Sequence, residues 1–157
     1  MKFKTLLATA AIATASFFTG GEAMANQKGG AALFYALQDA GVEVNVGPCE
    51  DDSAYGFYRS YVGAYEPGMI QICTNVAVTE NDRYETLRHE AVHAAQHCRG
   101  WDTVMKDTWM RQNVTQEDKR FVMSSYDKSD WIVEIEAFTL EHFPNAFIAK
   151  LVNINCN

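Results

Sequence analysis

Between Arg83 and Gly100 the chain reads RYETLRHEAVHAAQHCRG, with His89, His93 and His97 at intervals of four and Glu90 directly after the first. On a helix that spacing puts His89 and His93 on one face, about one 5.4 Å turn apart. Two ring nitrogens then converge on one ion at ~2.0–2.1 Å, the distance zinc takes from imidazole. Glu90 is rotated about 100° from His89 and flanks the open side of such an ion. A carboxylate there accepts a proton from water whose pKa the metal has lowered to about 7, then hands it to a leaving amine. His97 lies eight residues from His89, about 12 Å of helical rise, too far for the same ion. It is expected beside the site or at the surface. The longer pattern that adds a glycine and a third histidine fails, because Gln96 stands in the glycine position. The third ligand must come from elsewhere.

The segment SDWIVEIEAFTLEHF offers it. It reads as a helix from near Asp130 to Pro144, with apolar Trp131, Ile135, Phe138 and Leu140. Glu134, Glu136 and Glu141 are its acidic positions, and as a solvated face they would need no metal. A site of two histidines and one glutamate needs an inward carboxylate from a neighbouring helix, and a small residue one turn on lets the helices approach. Glu134 with Ala137 meets this, whereas Glu136 has Thr139 one turn on, so Glu134 is preferred.

RYETLRHEAVHAAQHC and WIVEIEAF together resemble the gluzincins, zinc metallopeptidases in which H-E-x-x-H on one helix is completed by a glutamate on a later one. Glu134 to Ala137 matches the E-x-x-A of several compact members, and the helix-then-sheet order upstream is similar. The resemblance implies His89, His93 and Glu134 as zinc ligands, with Glu90 as general base. Many members carry an aspartate four residues after the ligand glutamate to orient a histidine, and here Phe138 occupies that place. Tyr126 and His142 are candidates for stabilising an oxyanion, with a purely structural role as the competing reading.

Several elements must position these residues. GGAALFYALQDAG predicts a helix over about 29–40, stopped by Gly41. VEVNVG and MIQICTNV alternate at period two, and AYGFYRSYVGAY between them is rich in aromatic residues. These predict an antiparallel sheet of three or four strands, its aromatic residues serving packing rather than carbohydrate binding. Thr79 and Asp82 give a capping signature for a helix over about 82–99, with Gly100 as the stop. Thr115 with Asp118 marks a further short helix, PNAFIAKLVNIN a last one, and NVT at Asn113 a surface loop. The expected fold class is α+β and zincin-like: a small antiparallel or mixed sheet packed against the active-site helix, followed by a helical C-terminal part.

A chain of 157 residues is expected to form one domain, at residues 26–157. MKFK followed by an apolar run and an A-x-A site at Ala23 and Ala25 reads as a signal peptide, residues 1–25, cleaved after Ala25. Export to an oxidising compartment, periplasmic or extracellular, pairs the four cysteines. Cys49 with Cys73 is favoured because they flank adjacent strands, and Cys98 with Cys156 because one ends the active-site helix and the other the chain. Without residues 1–25, 11 basic and 19 acidic residues leave a net charge of −8. No basic cluster invites nucleic acid, and no stretch of the mature chain is apolar enough to span a membrane. The expected activity is zinc-dependent hydrolysis of a peptide or protein substrate. A catalytically silent module that keeps zinc for structure is the alternative, and an intact Glu90 argues against it.

Overall fold

The computed structural model of the chain describes residues 30–50, 52–61 and 68–157. The expected signal peptide, with its cleavage site at Ala25, and residues 62–67 of the tyrosine-rich segment lie outside the described residues. Helix α1, Gly30–Asp39, buries Leu33, Ala36 and Leu37. A tight turn leads into β1, Glu43–Gly47, and two further strands follow, β2, Gly56–Arg59, and β3, Met69–Cys73. The three form one sheet in the order β1-β3-β2. The sheet is mixed and not antiparallel throughout: β1 runs parallel to β3, and β2 antiparallel to it.

Period-two alternation is the same for both pairing senses, so it cannot choose between them. The disulfide can. Gly47 stands opposite Cys73 in the parallel register, and Cys49, just beyond β1, bonds Cys73 with a Cα separation of 5.1 Å. An antiparallel register would put the two cysteines at opposite ends of a five-residue strand, roughly 13 Å or more apart at 3.3 Å per residue. The central place of β3 also explains why Ile70 and Ile72 are fully buried. Directly before the helix, MIQIC is the strand from which pairing with an extended substrate is expected, but it is hydrogen-bonded to β1 and β2 and has no edge left for one. The edge strand lying against the long helix is β2.

That helix, α2, spans Glu80–Cys98 and begins two residues before the expected Asp82. The reason is the capping box itself: Thr79 is the N-cap, its hydroxyl accepts from the Asp82 backbone N–H at 3.1 Å, and Asp82 accepts from the Thr79 N–H at 3.0 Å. Asp82 is therefore the third residue of the helix. At the other end Gly100 takes φ +74°, and the N–H groups of Gly100 and Trp101 return to His97 and Gln96. Gly56 lets β2 approach α2, since a Cβ there would lie 2.5 Å from both Gln71 O and Thr86 Cγ2.

Beyond α2 the chain is helical. Helix α3, Asp107–Asn113, was not anticipated, and it ends at the Asn113 assigned to a surface loop. Helix α4, Gln116–Ser125, is capped by Thr115 as expected. Helix α5, Trp131–Leu140, stops short of Pro144, and α6, Asn145–Cys156, closes the described fold. Helix α2 packs between the sheet and α5 and α6, and α1 covers α6 from the other side. Leu33, Leu37, Leu87, Leu140 and Ile148 are fully buried where these layers meet. Cys98 bonds Cys156, fastening the C-terminal ends of α2 and α6 together. No helix among the described residues is long and apolar enough to cross a membrane.

Candidate metal centre

His89 and His93 leave α2 on the face turned to α5, and Glu134, in the first turn of α5, meets them there. His89 Nε2 is 3.2 Å from His93 Nε2 and 3.6 Å from Glu134 Oε2, and His93 Nε2 is 3.5 Å from Glu134 Oε1. Donors at ~2.0–2.1 Å from a tetrahedral ion stand about 3.3 Å from one another, so the triangle has the dimensions of three zinc ligands. The histidines are buried and Glu134 nearly so.

The outer nitrogens fix the rings. His89 Nδ1 lies 2.8 Å from Glu141 Oε2 and His93 Nδ1 lies 2.8 Å from Gln96 Oε1. Both partners are acceptors, because the Gln96 amide donates its N–H groups to Glu136 Oε2 at 2.9 Å and Val133 O at 3.0 Å. Each Nδ1 therefore carries a proton, and the two Nε2 atoms turn toward each other and Glu134. Buried Glu134 Oε2 has no hydrogen-bond partner. The centre thus calls for positive charge, a proton or a metal cation. Burial works against a charged His89 imidazole, but Glu134 and Glu141 outweigh it and push its pKa up to about 10. Burial also raises Glu134, yet contact with His89 and His93 prevails and holds it near 2.

Glu90, itself buried, accepts the backbone N–H of Tyr58 from β2, and burial above all pushes its carboxyl upward from the usual value. With His89 it borders a cleft of about 400 Å³ whose lining also includes Phe121 and Tyr126. Burial, with help from the charges of Glu134, Glu90 and Glu141, pushes the Tyr126 hydroxyl up to about 12, so it is a hydrogen-bond donor. His142, the other oxyanion candidate, is half-exposed between Glu85 and Asp118 and does not border the cleft. His97 pairs with the Tyr58 hydroxyl at 2.8 Å, outside the triangle, as its distance from His89 requires.

Three further residues belong to the centre through contacts that the sequence expectations do not include. Glu141 orients His89 from two turns beyond Glu134, a spacing that keeps both on one face of the chain. Phe138, where an orienting aspartate was sought, packs its ring on His89 at 4.5 Å between centroids. Gln96 orients His93 from the next turn, and their spacing of three is visible in the sequence. Glu136 is fully buried and accepts Gln96 and the backbone N–H groups of Val104 and Met105, at 2.9 and 2.7 Å. It holds the loop before α3 and does not face the triangle.

The fold is a mixed α+β domain that carries a buried His–His–Glu triangle with the dimensions of a metal site. Residues 37–156 match a family described as a domain of unknown function, DUF8637, and the chain belongs to that family. No curated protein and no solved structure matches it.

Proposed function

We propose that the chain is an exported, zinc-dependent metallopeptidase of gluzincin type, with His89, His93 and Glu134 as zinc ligands and Glu90 as general base. The observation that carries this reading is the triangle of 3.2, 3.5 and 3.6 Å edges around an unpartnered Glu134 oxygen, with both Nδ1 positions already committed elsewhere. Zinc bound there supplies Lewis acidity toward a carbonyl and brings the pKa of water to about 7. Glu90 takes the proton of the attacking water on its carboxylate and returns it to the leaving amine nitrogen. The Tyr58 N–H fixes Glu90 from one side, and the Tyr126 O–H offers a donor to the developing oxyanion from the cleft wall. The edge of β2 receives extended peptide backbone beside the helix. Two disulfides support an oxidising compartment and therefore export.

Incubating the mature chain with a diverse peptide library, with and without chelator, tests the reading beside Glu90→Gln. We expect hydrolysis that chelator abolishes and that Glu90→Gln loses while retaining zinc. Undiminished hydrolysis by Glu90→Gln, or a zinc-loaded chain that hydrolyses nothing, contradicts it.

A further inference from the structure

The cleft beside Glu90 has a definite chemistry. Among the described residues its border carries the carboxylates of Asp82, Glu85, Glu90 and Glu141 and no lysine or arginine. The same border carries the rings of Phe121, Tyr126 and Phe138, packed at centroid distances of 5.1 and 6.0 Å around Phe138. Phe121 is half exposed, its ring open to a ligand. Glu85 precedes His89 by four residues on α2, about 6 Å of rise along the helix axis. Asp118, linked to Glu85 through His142, is 9% exposed, and its Oδ2 is buried without a hydrogen-bond partner. Two cationic groups among the described residues face these carboxylates: Arg88, whose guanidinium interacts with the charges of Glu85 and Glu141 and donates to Glu141 O, and His142, half exposed, with Nδ1 3.4 Å from Glu85 and Nε2 3.9 Å from Asp118. Asn81 adds a neutral contact to Glu85 at 3.5 Å. Counting both Arg88 and His142 as cations, the carboxylates of Asp82, Glu85, Asp118 and Glu141 still leave the cluster net negative.

Aromatic faces followed by a carboxylate one helical turn from the reacting centre suit a long apolar stem that ends in a cation. We propose that this cleft takes a lysine or arginine side chain of the substrate, next to the scissile bond, with Phe121 and Tyr126 along its stem and Glu85 at its charged end. The proposal rests on the metallopeptidase reading for the word substrate, but the cleft's preference for a cationic side chain is separable from it.

The test uses peptides identical except for Lys, Gln or Glu at the residues flanking one bond. Wild type should cleave the Lys peptide with kcat/KM about tenfold above Gln, and Glu should be slowest. Glu85→Gln should shrink the Lys-to-Gln ratio by about tenfold, and Glu85→Lys should invert the order of Lys and Glu. Calorimetric binding of the same peptides to zinc-loaded Glu90→Gln gives a second readout independent of turnover. Cleavage without preference overturns the proposal and leaves the metallopeptidase standing. Preferential, Glu85-dependent binding by a chain that cleaves nothing supports the cationic cleft and overturns the peptidase. Binding of a second zinc, calcium or manganese ion that Glu85→Gln abolishes, without peptide preference, overturns the proposal in favour of an inorganic cation. Absence of both cleavage and preferential binding overturns both readings.

Discussion

Glu134 and Glu136 stand two residues apart on α5 and do opposite things, one facing two imidazoles and the other accepting three N–H donors in the core. Glu134→Ala should abolish stoichiometric zinc, which metal analysis of the purified variant reads directly. Glu136→Ala should keep zinc but lose about 3 kcal/mol of stability in urea unfolding, because buried donors are left unpaired. The orienting residues give a graded effect. Glu141→Ala and Gln96→Met should each weaken zinc by about 10- to 100-fold in competition with a chelating dye, since each frees a ligand ring. Unaltered affinity in both would show that neither holds its ring. At this scale the grouping of His89, His93 and Glu134 was legible in the sequence, because helical spacing and residue type mark side chains that could share one ion. Glu141 was not legible as a partner of His89, because that contact depends on how α2 and α5 cross, and no spacing within one helix encodes a crossing.

Helix α2 and β2 approach closely at Gly56, whose missing side chain makes the contact with Thr86 possible. Gly56→Ala should push β2 away from Thr86 and the rest of α2, costing about 1–3 kcal/mol as an overpacking substitution. Because Tyr58 on β2 donates to Glu90, the same variant should also lower kcat in a peptide assay while zinc content stays at wild-type level. Stability and turnover both equal to wild type would mean that the strand adjusts freely. The elements themselves were largely readable: the capping box of Thr79 and Asp82, the cap at Thr115 and the alternation in β1 and β3 all lie in local sequence. The parallel pairing of β1 and β3 was not, since alternation is blind to direction. It was nonetheless latent in the cysteines, because Cys49 reaches Cys73 only when the two strands end together. Helix α3 was missed because its seven residues bury no side chain and leave no apolar stripe to read.

At the scale of the molecule, two disulfides and one charged centre bind the layers together. The bridges close sequence separations of 24 and 58 residues, and by the chain-entropy account each contributes about 3–4 kcal/mol. Reduction should lower the thermal midpoint and zinc affinity together, since the bridge from Cys98 to Cys156 closes a loop that contains Glu134. The centre adds a pH dependence whose sign follows from its two shifted groups. His89, raised from 6.5 to about 10, stabilises the metal-free fold fully below 6.5, and that contribution is lost as pH climbs through 10. Glu134, lowered from 4.5 to about 2, stabilises it above 4.5, a contribution lost as pH falls through 2. Thermal melts in chelator should therefore show this contribution greatest between pH 4.5 and 6.5. The extra stability from zinc should grow above 6.5, because ligation requires neutral imidazoles. A zinc increment independent of pH would place the ion elsewhere. The central claim, that His89, His93 and Glu134 hold a catalytic zinc, is tested most directly by zinc K-edge X-ray absorption on the zinc-loaded mature chain beside His93→Ala. We predict one zinc per chain with two imidazoles and oxygen donors at ~2.0–2.1 Å, lost in His93→Ala. A sulfur shell, or a zinc spectrum unchanged by His93→Ala, would contradict the account.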